Sequence, residues 1–544
     1  MKKLGALKFK IVARGFSSPT AKGLPRIFLE TDDWNDYSYR TLYHLYYFHA
    51  NEGLVEKTLI GPVKILKKGQ ATGNAAVIIE DFLALDENFC SVGQTLDYYE
   101  RLNGLPEQIK IFITEGLRDV VSNPTLVSKF NKEPAWKSSL FRDQPDGGSG
   151  FRKIARSLIT GDYSKMPREK LDFSFSLPNW FDVITFNFGR DRTGRSSLPD
   201  RLAVVVGRNG SGKSTLLARL ARVAHATSTV RSTPEYQSLG ILEPSGLGFP
   251  RIITVSFSPF DSFRLPGADE GDREQVAKDL SKNEGRFSFI GLRDLSAEAR
   301  ANLSSDEGDN LTTDKIYNTA LKSIAQLADD FVDHLVKISL KSRTCEFHER
   351  ISEIFSSSEL EGFGFSATNI SIEIAKEEFL RRSTGHKIVL LAVAGILANI
   401  ERHSLILMDE PETHLHPPML ASLMHAVLEL LDSHQAFGIV ATHSPVVVQE
   451  SLAENVTIVR RESGFNGATQ PSVETYGESI GTITAEVFGL QADATDFHTV
   501  LDKLIRRYKN VDKIENLFLN QSMSRQAYAY VLAKLSQMES DTDA

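Results

Sequence analysis

Three apolar runs, each followed at once by charged or glycine-rich residues, stand out along the 544-residue chain. Leu202–Val206 predicts a buried strand, and Thr215–Val223 after it predicts a helix. His403–Met408 is a second run, of the kind typical of central parallel strands, and Gly438–Val440 is a third. The pattern indicates an α/β fold in which a parallel sheet carries polar residues at its strand ends.

The segment GRNGSGKS joins the first strand to its helix and has the spelling of a phosphate-binding loop. Its glycines let backbone N–H groups turn inward around phosphate oxygens, and the helix start adds partial positive charge. Lys213 is expected to place a cation at the β- and γ-phosphates, and the Ser214 hydroxyl is expected to ligate Mg²⁺. The predicted nucleotide-binding residues are Gly207, Asn209, Gly210, Gly212, Lys213, Ser214 and Thr215.

Paired carboxylates follow the second run. Asp409, at the carboxyl end of the strand, is predicted to hold Mg²⁺ together with Ser214. Glu410 is predicted to polarise the attacking water as general base. His443 follows the third run and is predicted to reach the γ-phosphate, with a structural histidine as the alternative. The expected catalytic residues are therefore Glu410 and His443, and the expected cofactors are ATP and Mg²⁺.

Composition narrows the class of protein. The formal net charge is −8, from 62 basic and 70 acidic residues, so bulk charge does not favour nucleic-acid binding. Two cysteines exclude a disulfide framework, and the sequence has no apolar run long enough for a membrane span. Charges interrupt the apolar residues at the amino terminus, so no signal peptide is predicted and the expected location is the cytoplasm.

Two polar or aromatic segments leave alternatives open. Thr413, His414 and His416 follow the carboxylates and admit an interpretation as metal ligands, although a His-x-His pair on a loop is a poor site by itself. The aromatic stretch Leu42–Phe48 is interpreted as the core of a strand, with base stacking as the alternative.

The order of the motifs resembles that of ABC-type ATPases, in the branch that includes RecF, SMC-like and OLD-like proteins. In that family two subunits sandwich two ATP molecules, and a signature motif of one subunit caps the nucleotide of the other. The matching segment is Arg382–Lys387, in which Ser383 and Gly385 agree with the family pattern and Arg382 replaces a leucine. The alternative for Ser383 is an ordinary helix N-cap.

Two departures from the family pattern shape the prediction. No glutamine follows Ile252–Phe257, where the family has one, so Ser258 or Asp261 is the candidate to take over its contact with metal or water. No sustained heptad pattern lies between Ser214 and Ser383. A compact head with a helical lobe is therefore expected, without a long coiled-coil arm.

The predicted fold class is an α/β, ABC-type P-loop NTPase head with a mixed sheet, a helical lobe, an N-terminal insert and a C-terminal helical tail. The tail is expected to dock a partner. The predicted divisions are the first strand of the ATPase head at 1–16, the insert at 17–178, the lobe with the phosphate loop at 179–284, the helical lobe at 285–382, the half with the signature, Asp-Glu pair and histidine at 383–490, and the tail at 491–544.

The insert and tail give a closer resemblance, to the PtuA ATPases of Septu-type and retron-associated anti-phage defence. It is carried by YRTLYHLYYF, SVGQTLDYYERL, SFSPFDSF and ETYGESIGTIT together with the ATPase motifs. The resemblance implies a homodimer or higher oligomer formed through an ATP sandwich, and a partner HNH nuclease, PtuB. In the retron version it also implies a reverse transcriptase and its RNA–DNA hybrid.

The function expected from this resemblance is that of an ATP-hydrolysing regulatory subunit that controls the partner nuclease and has no nuclease site of its own. A RecF-like DNA-repair ATPase that binds DNA directly is the main alternative. An ABC importer subunit is disfavoured by the missing glutamine and by the insert. A nucleotide-gated scaffold with very slow hydrolysis is the non-enzymatic alternative.

Overall fold

The described residues of this computed structural model form two compact units, Met1–Gly477 and Glu478–Ala544. No described helix is both long enough and apolar enough to cross a bilayer. The description runs from residue 7 to residue 540 and leaves out 37, 52–53, 74–75, 167–169, 190–197, 267–274, 276–277, 281–283, 303–312, 317–318, 357–359, 361, 363–364, 366–369, 463–464 and 489–495.

The N-terminal residues form a five-stranded sheet in the order β1-β2-β3-β4-β5. β1 and β2 are parallel, and the other neighbours are antiparallel. Helices α1 to α4 pack against one face and enclose an apolar core with it. The strands are Phe9–Val12, Arg26–Thr31, Leu42–Asn51, Leu54–Lys67 and Phe89–Gly93, and the helices are Leu96–Asn103, Glu107–Gly116, Thr125–Phe130 and Ser149–Thr160.

The aromatic stretch lies inside this sheet, on β3. Tyr43 and Tyr47 belong to the core that faces the helices, whereas Tyr46 and Phe48 join Phe28 in a smaller cluster on the other face. The alternation follows from the two-residue period of a strand. All four β3 side chains are buried, which agrees with a strand core and leaves their rings inaccessible for base stacking.

β1 lies in a different sheet from the one that the sequence predicts. Residues 1–16 are predicted as the first strand of the ATPase head, yet β1 pairs with β2 over four residues. Phe9 also stacks on Phe82 at 4.8 Å and on Phe112 at 5.2 Å between ring centroids. A four-residue strand carries no information about which sheet it joins, and these distant ring contacts determine its place.

The central sheet has seven strands in the order β11-β10-β12-β13-β8-β14-β15. Only β14 and β15 pair antiparallel, so the sheet is mixed as predicted. The three apolar runs form β8, β12 and β13. The strands are Leu202–Val206 (β8), Ile252–Ser256 (β10), Phe287–Gly291 (β11), Leu405–Asp409 (β12), Phe437–Thr442 (β13), Val456–Glu462 (β14) and Phe465–Thr469 (β15).

A small antiparallel sheet in the order β7-β6-β9 shares the core of the ATPase half. Its strands are Leu171–Ser176 (β6), Ile184–Phe188 (β7) and Ile241–Glu243 (β9). β6 falls within the predicted insert at 17–178, yet it pairs with β7 and packs with the ATPase core. Its alternation of buried phenylalanines with polar residues predicts a strand but not its partner.

The segment 285–382, predicted as a helical lobe, contains several of the helices of the ATPase half. That segment begins with β11, which adds an edge strand to the central sheet before the first lobe helix. The helix Thr384–Asn399 (α12) is buried over its last twelve residues. It contacts the helix Ile324–Leu340 (α9) and the strand β11. The helices are Lys213–His225 (α5), Ser228–Arg231 (α6), Pro234–Gln237 (α7), Leu295–Asn302 (α8), Ile324–Leu340 (α9), Thr344–Ser352 (α10), Ile372–Arg381 (α11), Thr384–Asn399 (α12), Pro417–Ser433 (α13) and Pro445–Gln449 (α14).

Helix α1 connects the N-terminal sheet to the ATPase half through ion pairs. Asp97 contacts Arg286 at 3.0 Å, and Glu100 contacts Arg251 at 2.6 Å. Burial would raise the pKa of Asp97, but Arg286 and His225 outweigh it and hold that pKa well below its usual value. Asp97 and Glu100, which are three residues apart on one face of α1, therefore pair with arginines that directly precede two strands of the central sheet.

The second unit is a small helical body. Its helices are Ile480–Glu486 (α15), Asp496–Tyr508 (α16), Val511–Glu515 (α17) and Arg525–Ser540 (α18). Its core is small and consists of Leu501, Ile505, Ile514, Met523 and Val531. The predicted tail begins at 491, whereas the compact unit begins at Glu478; residues 491–495 lie outside the described residues.

Candidate nucleotide-hydrolysis site

The carboxyl ends of four parallel strands meet at one edge of the central sheet and bring the predicted residues together. The register sets Ser256 beside Asp409, Asp409 beside Ala441, and Thr442 beside Val206. Neighbouring strands lie about 4.8 Å apart, so the residues that follow these positions share a small region. This region contains the phosphate loop, the Asp-Glu pair and the predicted histidine.

The phosphate loop depends on its glycines for space and for backbone conformation. A Cβ on Gly207 would lie 2.4 Å from the carbonyl oxygen of Val459 on β14, so no larger residue fits without a shift. Gly210 and Gly212 have φ angles of +79° and +98°, which side chains disfavour. α5 begins directly after the loop at Lys213, so its first N–H groups lack partners within the helix and are available to phosphate oxygens.

Lys213 is a buried cation, with 4% of its surface exposed. Its Nζ donates to the carbonyl oxygens of Gly207 at 3.1 Å and Arg208 at 3.5 Å. Burial lowers the pKa of the ammonium group, although the carboxylates of Glu410 and Asp409 act against this. A buried cation that is held by neutral carbonyl oxygens is suited to exchange them for phosphate oxygens.

Asp409 and Ser214, the two residues predicted to hold Mg²⁺, are in direct contact. The Ser214 hydroxyl donates to Asp409 Oδ1 at 3.0 Å. Burial raises the pKa of Asp409 to about 7; the bond from Ser214 lowers it, and the neighbouring charges of Asp261 and Glu410 raise it further. A divalent cation at this carboxylate would relieve both the burial of its charge and the repulsion.

Glu410 stands in a backbone conformation that is uncommon for its residue type. Its φ is +47°, in the left-handed region, and its N–H donates to the carbonyl oxygen of Ala441 at 2.8 Å. Such a conformation costs about 1 kcal/mol and persists where neighbouring structure enforces it. Its side chain remains 31% exposed at the sheet edge, as a base that takes a proton from water requires.

Glu412 positions the predicted histidine, although the sequence motifs do not single it out. Its carboxylate accepts from Thr442 Oγ1 and from the backbone N–H of His443, both at 2.8 Å. His443 Nδ1 lies 3.1 Å from Glu412 Oε1 and 3.7 Å from Glu410 Oε1. The signal in the sequence is the third acid of the DEPET segment, but its partner is 31 residues away and only the pairing of β12 with β13 brings them together.

The signature residues do not contact the phosphate loop through any described hydrogen bond. Ser383 is exposed and caps α12, with its Oγ 2.5 Å from His386 Nδ1. A Cβ on Gly385 would lie 3.4 Å from the carbonyl oxygen of His414, in the loop that follows the Asp-Glu pair. The N-cap interpretation of Ser383 is therefore correct locally, and its action on a second subunit stays a prediction.

The residues around the loop fit a nucleotide and Mg²⁺. The hydroxyl of Ser211 is buried without a hydrogen-bond partner inside the loop, Asn209 is exposed there, and Thr215 stands in the first turn of α5. Trp180 Cζ2 lies 3.7 Å from the Cβ position of Gly212 and gives the loop an aromatic wall. Trp180 is not among the site residues that the sequence predicts, because it lies on a loop before β7 and outside the motifs.

The alternative metal site is not supported within the described residues. His416 caps α13 by accepting the backbone N–H of Met419 at 3.4 Å through Nδ1. No group of three or more His, Cys, Asp or Glu side chains in the described part of the chain is arranged to hold a metal ion by itself.

One protein family matches the part of the chain that contains this site. Residues 202–449, from β8 to the end of α14, match a family described as "AAA domain, putative AbiEii toxin, Type IV TA system". The phosphate-loop segment, the Asp-Glu pair and His443 all lie within the residues that match. The P-loop α/β fold class predicted from the sequence is confirmed.

A relative and two solved structures are also similar to the chain. Protein ea59 of Escherichia phage lambda is 29% identical over 532 residues, which cover 92% of this chain and 93% of that protein. The ADP conformation of MJ1267, an ATP-binding cassette of an ABC transporter, is 12% identical, with a TM-score of 0.28 over 58% of this chain and 95% of that one. The SMC head domain from Thermotoga maritima is 14% identical, with a TM-score of 0.25 over 56% of this chain and 100% of that one.

Asp409→Asn should make the stability of the nucleotide-free protein less dependent on pH. The pKa of Asp409 is raised to about 7 from 3.8, so the folded state holds a proton that the unfolded state has lost. The stability from this group is complete below about pH 4 and is lost as the pH rises to about 7. Asparagine is uncharged at every pH and has no carboxyl group to titrate. The free energy of unfolding of the variant should therefore exceed that of the wild type by a few kcal/mol (~2–4) at pH 8 and match it near pH 4.5.

Urea midpoints in EDTA at the two pH values measure this difference. Asp432→Asn, at a side chain that is 85% exposed, is the matched control and should leave the pH dependence unchanged. An equal gain from Asp409→Asn at both pH values would contradict the raised pKa.

Proposed function

We propose that this protein is an ATP-hydrolysing regulatory subunit of an anti-phage defence complex, and that its nucleotide cycle controls a partner HNH nuclease. The observation that supports the catalytic part is the meeting of Lys213, Asp409 and Glu410 at one sheet edge, with Ser214 joined to Asp409 at 3.0 Å. This arrangement supplies a cation for phosphates, oxygens for a metal and a base for water. The proposed location is the cytoplasm.

Each residue of the site has a separate role in the proposed hydrolysis. Lys213 binds the β- and γ-phosphate oxygens, and Ser214 and Asp409 hold Mg²⁺, which neutralises charge on those oxygens when it is bound. Glu410 accepts a proton from the attacking water as the water oxygen bonds to the γ-phosphorus and the bond to ADP breaks. His443, oriented by Glu412, donates to the γ-phosphate and distinguishes ATP from ADP.

A second copy of the chain completes the site in this proposal. Ser383 is exposed at the start of α12, where a helix terminus offers N–H groups to an anion. Gly385 lies beside the loop that follows Glu410. A movement of that loop on hydrolysis would therefore change its contacts with the capping segment. ATP would thus assemble a homodimer or higher oligomer, and hydrolysis would loosen it.

The defence role is supported by the resemblance of the N-terminal residues to PtuA proteins and by the description of the matching family. The similarity to ea59, a phage protein, extends over nearly the whole chain and so includes the N-terminal sheet. The family description of residues 202–449 names a toxin of a type IV TA system. An HNH nuclease is the proposed partner, with a reverse transcriptase and its RNA–DNA hybrid as further members in a retron.

Glu410→Gln should bind ATP with nearly wild-type affinity and hydrolyse it at least about a hundredfold more slowly, because the amide cannot accept the proton. Lys213→Ala is the contrasting variant, which should lose ATP binding. Fluorescent-nucleotide titration and single-turnover phosphate release measure the two quantities. Near-normal turnover by Glu410→Gln would show that another residue is the base, and very slow turnover by the wild type would favour the scaffold alternative.

Ser383→Arg should prevent ATP-dependent dimerisation while leaving nucleotide binding by the monomer intact. The larger cationic side chain would block the capping position, and the change removes the hydroxyl. Sedimentation velocity with ATP, in a Glu410→Gln background, measures the dimer. Ser128→Arg places the same charge at an exposed helical serine of the N-terminal region and is the control. A dimer that survives Ser383→Arg would refute the capping role.

Affinity capture of the Glu410→Gln protein from its native host in ATP should recover an HNH nuclease. Capture with Lys213→Ala is the control, which should recover less of it because the ATP-bound state is absent. Mass spectrometry and extraction of bound nucleic acid identify the partners. Recovery of DNA and repair proteins without a nuclease would overturn the defence role in favour of a RecF-like ATPase.

A further inference from the structure

The end of α16 and the start of α17 carry a local concentration of positive charge. Of the eleven residues from 503 to 513, five are basic and one is acidic, whereas the formal net charge of the whole chain is −8. The five basic residues are all exposed, and we call them the basic surface: Lys503, Arg506, Arg507, Lys509 and Lys513. This surface has the opposite sign to the chain as a whole, and such a patch attracts anionic partners.

The helical period places the cations of α16 on its solvent side. Leu501 and Ile505 are buried in the core of the second unit. Lys503, Arg506 and Arg507 therefore lie on the opposite side of the helix, within about one turn of each other. Lys503 and Arg507 are four residues apart, and like charges at that spacing destabilise a helix by about 0.2–0.5 kcal/mol. An anion bound over these residues would remove the repulsion.

The acidic side chains nearest to the basic surface are engaged elsewhere in the unit. Asp502 Oδ1 accepts from the hydroxyl of Tyr530 on α18 at 3.0 Å, and Glu515 Oε1 accepts from the Met523 N–H at 3.4 Å. Among the described residues, the five cations form no ion pair and no side-chain hydrogen bond. Asp512, the one acid between 503 and 513, offsets a single charge, so the surface keeps a clear positive excess.

Stabilisation of α16 by its dipole accounts for only part of this charge. Arg506 and Arg507 lie in the last turn of the helix, where a cation contributes about 0.3–1 kcal/mol. The effect falls off beyond the last turn. Lys503 lies before that turn, and Lys509 and Lys513 follow the end of the helix. These three cations therefore need another explanation.

Aromatic rings accompany the cations. The guanidinium carbon of Arg507 lies 5.3 Å from the centroid of the Tyr508 ring, and such a contact orients an arginine at the surface. Phe518, which follows α17, is 36% exposed. Cations that follow a phosphate backbone, together with rings on which bases stack, are the combination used by proteins that bind nucleic acids.

A nucleic acid fits this surface better than a lipid bilayer does. A helix that lies on an anionic bilayer buries its own apolar face in it. The apolar face of α16 is already occupied, because Leu501 and Ile505 lie in the core of the unit. Duplex DNA presents about one negative charge per 1.7 Å of its axis, so closely spaced cations meet several phosphates at once.

We propose that the basic surface binds the phosphate backbone of a nucleic acid. This contact belongs to the small helical unit and does not rest on ATP hydrolysis. Contacts with the backbone carry no sequence information, so binding is expected to be independent of sequence and to weaken steeply with salt.

Fluorescence anisotropy of the full-length protein at low salt, without nucleotide, tests this proposal. The probes are a labelled DNA duplex, an RNA–DNA hybrid and a single-stranded DNA of the same sequence, which distinguish the possible sources of the backbone. The variant combines Arg506→Gln with Arg507→Gln, because glutamine removes the charge and keeps a high helix propensity. We expect at least about tenfold weaker binding, and a salt slope that is smaller by about 2 because two phosphate contacts are lost.

The matched control combines Lys129→Gln with Lys132→Gln. It removes the same charge from two exposed positions of the N-terminal region and should leave the affinity unchanged. Urea unfolding of the Arg506→Gln/Arg507→Gln protein should give an undiminished midpoint, since the change also removes the like-charge pair of Lys503 and Arg507. Weakened binding with that midpoint could not be ascribed to unfolding of the unit.

The outcomes separate this proposal from the proposed function. Binding of any of the three probes that depends on Arg506 and Arg507 supports the basic surface. No binding by the wild type, or equal weakening in the control, would refute it, as would binding to phosphatidylserine vesicles without binding to any probe. ADP affinity should be equal in all three proteins. Its absence from all of them would count against the ATPase assignment and leave the nucleic-acid result standing.

Discussion

The parallel pairing of β10, β12, β13 and β8 is the constraint on which the rest of the site depends. One register sets Ser256, Asp409 and Ala441 side by side, and the next pair sets Thr442 beside Val206, directly before the phosphate loop. A slip of one residue in any strand would turn its side chains to the opposite face. The apolar residues of these strands therefore fix the positions of the polar residues that follow them.

The site carries charges that the protein alone leaves poorly matched. Lys213 is buried against carbonyl oxygens, and Asp409 is buried beside other acids, so burial lowers the pKa of the first and raises that of the second. In both residues burial disfavours the charged form of the side chain. A ligand of the opposite charge would offset that cost in each case. A nucleotide with its metal presents phosphate oxygens to one and a cation to the other, which explains why this edge of the sheet is suited to such a complex and to few others.

Features that depend on residues close together in the chain could be predicted from the sequence, whereas features that depend on contacts between distant strands could not. The strand and helix on either side of the GRNGSGKS segment, and the strand that ends at Asp409, could be predicted because their signals are contiguous in the sequence. Glu412 was missed because its role depends on a partner on another strand. β1, β6 and β11 show the same limit, since a strand pattern gives the two faces of a strand but says nothing of its neighbours.

Helix α1 of the N-terminal region contacts the ATPase half at the end of the central sheet opposite the candidate site. Arg251 and Arg286, which Glu100 and Asp97 bind, directly precede β10 and β11, whereas the site lies at the carboxyl ends of the central strands. Through these ion pairs, α1 contacts the residues directly before the amino ends of two central strands. The strand β10 therefore connects the two ends, because it is preceded by Arg251, which contacts Glu100 of α1, and it ends at Ser256, which lies beside Asp409.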